Sequence, residues 1–196
     1  MRNLALFSFL AFLFIFLGRA PQGEAAEFHY VGTEGCKCHK SEISDWERSK
    51  HAQAYELLMP GKQKSKKKKA GLDPDKDYSN DEKCLPCHVT GLKKPGGFRD
   101  SASTPAMAGV GCESCHGAGS EYRGLHKDKS LTFTRDEAKE MGALYGSVDP
   151  KVCDTCHSHA DNPFTAKIDA KYNFDHGAAL KENRSFHDFY ALDGKH

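Results

Sequence analysis

Eight cysteines and eleven histidines mark this chain of 196 residues, and the cysteines fall into four tight pairs, each followed at once by a histidine. Cys84-Leu85-Pro86-Cys87-His88, Cys112-Glu113-Ser114-Cys115-His116 and Cys153-Asp154-Thr155-Cys156-His157 share one spacing, whereas Cys36-Lys37-Cys38-His39 is one residue shorter. Two thiols three positions apart can each add across a vinyl group of a heme, and the histidine that follows reaches the iron. At this composition one such motif arises by chance about 0.02 times, so three together are not coincidence. Zinc and disulfides compete for Cys-x-x-Cys pairs, but neither requires a histidine directly after every second cysteine. The spacing points to a multiheme cytochrome c with four covalently bound hemes c. Their cysteines are Cys36 and Cys38, Cys84 and Cys87, Cys112 and Cys115, and Cys153 and Cys156, and His39, His88, His116 and His157 are the proximal ligands.

The hydrophobic fraction, 38%, is low for a soluble domain. Part of it sits in residues 4–17, an apolar run after Arg2 that ends in small residues near Ala26. That order is a secretory signal peptide over residues 1–26, leaving residues 27–196 as one tetraheme domain. An uncleaved anchor is the competing reading, although the run is short for a membrane span. Removing Arg2, Arg19 and Glu24 makes the mature chain formally neutral. Neutrality argues against bulk binding to nucleic acid or to an anionic membrane. One heme per forty or so residues is too little chain to build an ordinary core, so the porphyrins are expected to be the core.

The elements that must position these groups are expected to be mainly α, with long loops. Ile43, Trp46, Tyr55 and Leu58 read as one helical stripe over residues 41–59, stopped by Pro60-Gly61. Thr134 and Glu137 form a capping box that opens a helix running through Ala138, Met141 and Leu144. A third helix is expected over residues 178–192. Residues 61–81, rich in lysine, read as an exposed loop or frayed helix end, and no strand pattern is present.

A six-coordinate heme also needs a distal ligand, usually histidine or methionine. His51, on the inward face of the first stripe, His187, on that of the last, and His126, in a glycine-bounded loop, are the favoured distal residues. His29, His159, His176 and His196 are weaker candidates. Met59, Met107 and Met141 each have a packing role available.

Beyond its heme motifs the chain resembles the tetraheme cytochrome c-554 family of ammonia-oxidising bacteria. The residues that carry the likeness are Gly109-Val110-Gly111, Gly117-Ala118-Gly119 and Tyr122-Arg123-Gly124 around the third motif. Leu72-Asp73-Pro74, Lys76-Asp77-Tyr78 and Asp169-Ala170-Lys171-Tyr172 add to it. The resemblance implies a compact, mainly α protein wrapped around four stacked hemes. It implies a periplasmic carrier in nitrification, taking electrons from hydroxylamine oxidoreductase toward the quinone pool or other cytochromes, with no membrane span after signal cleavage. It pairs His126 with the first heme, His187 with the third and His51 with the fourth, and leaves the heme of His88 five-coordinate, with Phe164 over its open face. The family has two residues between the first pair of cysteines where this chain has only Lys37. Cys38-His39 keeps the second thioether in register with the iron ligand, so the first heme is held through two thioethers or through Cys38 alone. No catalytic side chain is placed for a reaction, which favours a carrier. The alternative is an enzyme that converts a small nitrogen species such as nitric oxide at the open second heme.

Overall fold

Glycine and proline punctuation leaves little room for long helices, and none of those described exceeds eight residues. The computed structural model describes residues 27–125 and 132–182. These form α1 (Gly32–Gly35), α2 (Lys40–Glu47), α3 (Lys64–Lys69), α4 (Cys112–His116), α5 (Arg135–Glu140), α6 (Pro150–His157) and α7 (His176–Glu182). Single 3-10 turns lie at Tyr55–Leu58, Leu85–Cys87, Pro105–Met107, Tyr122–Gly124 and Ala170–Tyr172. The described residues contain no strand, only one isolated antiparallel bridge between Val89 and Ala108. No helix among them is long and apolar enough to cross a membrane. The signal segment, His126, His187 and the last turns of the expected C-terminal helix lie outside the described residues.

The first apolar stripe is not one helix. After Glu47 the chain turns, with the amide of Ser49 donating to Trp46 O at 2.8 Å and the amide of Ala52 donating to the Ser49 hydroxyl at 3.2 Å. A serine side chain that captures a backbone amide three residues on competes with helix continuation. His51 therefore sits in a turn, and apolar packing resumes only at Tyr55 and Leu58. The capping box is present as expected: the Thr134 hydroxyl accepts from the amide of Glu137, whose carboxylate accepts from the amide of Thr134 at 2.7 Å. That helix stops at Glu140, because Gly142 takes φ +93°, and Met141 and Leu144 stay exposed at 38% and 45%.

The lysine-rich stretch is also different from a solvated loop. It folds as α3, and its middle residue Lys67 is buried. Six successive polar residues hide this from sequence reasoning, because nothing in the run distinguishes the one position that turns inward.

One apolar cluster exists among the described residues: Tyr55, Leu58, Tyr78, Leu85, Val89, Phe98 and Met107, with Met59 and Cys84 against its edge. All of it comes from residues 55–107. Among the described residues after Met107, the buried hydrophobic side chains are the small Ala138 and Ala143. A chain of this length with so small a core gains little from apolar burial of its own.

Candidate heme sites

The third and fourth motifs lie in helices, Cys112–His116 forming α4 and residues 153–157 the end of α6. In a helix the first cysteine, the second cysteine three residues on and the histidine four residues on share one face. That geometry lets both thiols and the imidazole address the same group. The second motif achieves the same turn with the 3-10 segment Leu85–Cys87. The first does not form a helix. It is a tight connection between α1 and α2 in which the amide of His39 donates to Cys36 O at 2.9 Å, and His39 caps α2. One residue fewer between the cysteines is thus absorbed by a turn.

The motifs touch in a defined order. α1, which leads directly into Cys36, contacts α4; α4 contacts α6; α6 contacts the Leu85–Cys87 turn. The thiols follow the same sequence. Burial, and next the neighbouring Cys112, push Cys36 up to about 11, and burial with Cys153 beyond it pushes Cys115 up to about 11. Cys87 and Cys156 share a hydrogen bond that holds Cys87 below the ordinary thiol range and Cys156 above it. The spatial order of the motifs is first, third, fourth, second.

Two carboxylate and carbonyl devices fix this arrangement. Glu113, inside the third motif, is buried, and its oxygens accept from the amides of Val31 (2.9 and 3.1 Å), Gly32 (2.8 Å) and Gly119 (2.7 Å). It ties the segment that starts α1 to the loop behind α4. Sequence reasoning passed over Glu113; the only signal was an acid flanked by Gly111, Gly117 and Gly119, residues whose backbones approach closely. Gly117, at φ +81°, would bring a Cβ to 2.0 Å from Gly142 O, so only glycine fits directly after His116. The amide of Leu144 donates to His116 O at 2.8 Å in the same region.

The turn carrying His51 is a hub. His51 O accepts from the amides of Ala54 (3.1 Å) and Val110 (2.9 Å), and Trp46 Nε1 donates to Val110 O at 2.8 Å, two residues before Cys112. His88 Nδ1 lies 2.6 Å from Ala54 O. If that nitrogen carries the proton, Nε2 is left as the metal-binding atom. The His51 ring faces that of His157 at a centroid distance of 6.2 Å and an interplanar angle of 83°. His157 also stacks on Phe174 at 4.3 Å and 18°. Desolvation keeps both imidazoles below the usual histidine pKa, and the facing His157 lowers His51 further. Neutral imidazole is the form that binds metal.

The remaining histidines are placed otherwise. His176 Nε2 is 2.8 Å from Gly146 O, His159 Nδ1 accepts from the amide of Asp161 at 3.1 Å, and the amide of His29 donates to the Ser120 hydroxyl at 3.2 Å. Phe164 packs on Tyr172 at 5.4 Å.

The residues present fit a covalently bound heme. All eight thiols are free, and no three His, Cys, Asp or Glu side chains converge as a metal cage among the described residues. His51 and His157 bring two imidazoles together, the ligand type that a six-coordinate heme would take. Leu144, whose amide donates to His116 O, and Val148 expose apolar surface, and Arg135 Nε is buried with no hydrogen-bond partner among the described residues, a donor suited to a carboxylate such as a heme propionate.

Known proteins agree with this chemistry. The family described as cytochrome c554 and c-prime matches residues 35–117. Cytochrome c-554 of Nitrosomonas europaea is 34% identical over 200 residues, spanning 92% of this chain and 84% of that protein. The solved structure of the reduced state of cytochrome c554 from the same organism superposes with a TM-score of 0.73 at 36% identity, covering 86% of this chain and 89% of that one. Helix-dominated, with free Cys-x-x-Cys-His motifs in contact with one another, the chain belongs to the cytochrome c-554 family, heme-bearing electron carriers of the c type.

Proposed function

We propose that residues 27–196, exported to the periplasm after loss of residues 1–26, form one domain that holds four hemes c and carries electrons from hydroxylamine oxidoreductase to a quinone-linked or soluble cytochrome. When bound, each heme supplies a one-electron couple. The chain supplies attachment through the four cysteine pairs and proximal ligation through His39, His88, His116 and His157. Distal ligation comes from His126 for the first heme, His187 for the third and His51 for the fourth. His88 has no distal residue, and Phe164 shields its open side.

The contact order of the motifs carries the reading. Attachment sites that touch in an unbroken series suit transfer from one end of the molecule to the other, and need no acid, base or nucleophile. Paired neutral imidazoles suit it too, because low-spin iron with two fixed ligands changes little on gaining an electron.

The test is reduction of the purified holoprotein, followed by absorbance, with hydroxylamine and hydroxylamine oxidoreductase as the donor system. Rapid reduction that requires the oxidoreductase supports the carrier. Turnover of nitric oxide or hydroxylamine by the protein alone would replace it with the enzyme reading at the heme of His88.

A further inference from the structure

Within the lysine run of α3, Lys64, Lys66, Lys68 and Lys69 are exposed, while Lys67 is 4% exposed. Its Nζ donates to Met59 O at 2.8 Å and lies 5.2 Å from the centre of the Tyr78 ring. Tyr78 belongs to the same apolar cluster as Leu85, and Cys84 packs against that cluster. The amide of His88 donates to Leu85 O at 2.9 Å. The ammonium is therefore lodged in the wall behind the second motif, and its field acts on both Cys84 and His88. Burial lowers the pKa of Lys67, and Asp77, Asp75 and Asp73 act against that and keep the cation.

An apolar side chain of similar length would avoid desolvating an ammonium, but it would not supply the donor that Lys67 gives to Met59 O. The ammonium's direct contacts are the Met59 carbonyl and the tyrosine face, with the carboxylates of Asp77, Asp75 and Asp73 farther off, unlike Lys64, which pairs directly with Asp75 at 2.7 Å. A cation on a buried side chain without a directly bonded carboxylate is screened less than a surface lysine.

We propose that Lys67 is a positioning residue for charge, a fixed cation that raises the reduction potential of the heme held by His88 above the value its ligands alone would set. Ferric iron gains one electron on reduction, so the heme loses one positive charge. A cation nearby stabilises the reduced form relative to the oxidised one. The inference rests on the reading that His88, Cys84 and Cys87 hold a heme.

The test is spectroelectrochemistry of holoprotein, with the electrode supplying the electron, on native protein and on Lys67→Gln, Lys67→Met and Lys67→Arg. Gln keeps a donor for Met59 O and Met keeps the volume, so one of the two reports even if the other does not assemble. Both neutral variants should lower one potential by about 59 mV, a tenfold change in its one-electron equilibrium. Arg should leave it near the native value. The shift should persist at 0.5 M salt, where an exposed charge would be screened. Unmoved potentials in a neutral variant that retains four hemes, or an equal drop with Arg, would overturn the inference and leave the heme reading intact. Native protein with Cys84 and Cys87 as free thiols would overturn the heme reading itself.

Discussion

His51 and His157 lie with ring planes at 83° and ring centres 6.2 Å apart, although 106 positions separate them in the chain. The turn after α2 and the end of α6 are held in that relation by Val110 and Phe174. Replacing His51 with Ala should convert one heme in four from low spin to high spin and leave the others unchanged, as read by electron paramagnetic resonance of the oxidised protein. His176→Ala is the matched control, since that ring is engaged with Gly146 O. An unaltered spectrum for His51→Ala would remove His51 from the ligand set.

Glu113 should matter more than any exposed acid in the chain. Three backbone amides converge on its carboxylate, and truncation leaves them buried and unpaired, at about 1–3 kcal/mol for each such group. Glu113→Ala should lower the stability of the holoprotein by about 3 kcal/mol or more, measured by denaturant unfolding followed by circular dichroism. The heme of the first motif should be disturbed before the others, because α1 is what Glu113 holds. A change within 0.5 kcal/mol would show that water replaces the carboxylate.

The first motif makes a sharp stoichiometric prediction. Intact mass and a pyridine hemochrome assay should give four hemes and no free thiol. Cys36→Ser should retain that heme through Cys38, whose relation to His39 matches the longer motifs, while Cys38→Ser should lose it. Three hemes in native protein, with Cys36 and Cys38 both alkylatable, would mean that the shortened turn does not attach heme.

The outward lysines of α3 form an exposed basic face, and its part in docking an acidic partner surface can be tested by charge reversal. Reversing Lys66, Lys68 and Lys69 to Glu should slow reduction by the partner at low salt by about tenfold or more and flatten its ionic-strength dependence. Lys67 is left in place, so the potentials should not move. Equal salt dependence in native and reversed protein would assign α3 no part in docking.

The legible parts of this molecule were its local ones. The capping box at Thr134 and Glu137 and the cysteine–histidine motifs follow from spacing within a single turn of chain, although no helix was expected over α4 or α6. The helix expected across residues 41–59 failed because the Ser49 hydroxyl competes for the amide of Ala52, a choice settled by docking of Trp46 on Val110, 64 positions away. His51 nevertheless lies with its ring 6.2 Å from that of His157, by way of a turn. Lys67 and Glu113 were illegible because each is a charged residue buried by backbone contacts that its own neighbourhood does not announce, Lys67 with Met59 O and Glu113 with the far-off amides of Val31 and Gly32. Met141 was expected to pack and is exposed, whereas Met59 and Met107 join the apolar cluster.

The order in which the motifs touch differs from the order in which they are written. Those containing Cys36 and Cys84 are the two extremities of the series, and those containing Cys112 and Cys153 are its interior nodes. Removal of a single attachment site then has two possible outcomes. Deleting an extremity shortens the line and leaves the remainder continuous, whereas deleting an interior node cuts it into disconnected pieces. A polypeptide split between Cys87 and Cys112 would put both extremities on one fragment and both interior nodes on the other. Continuity belongs to the closed chain as a whole and to neither half of it.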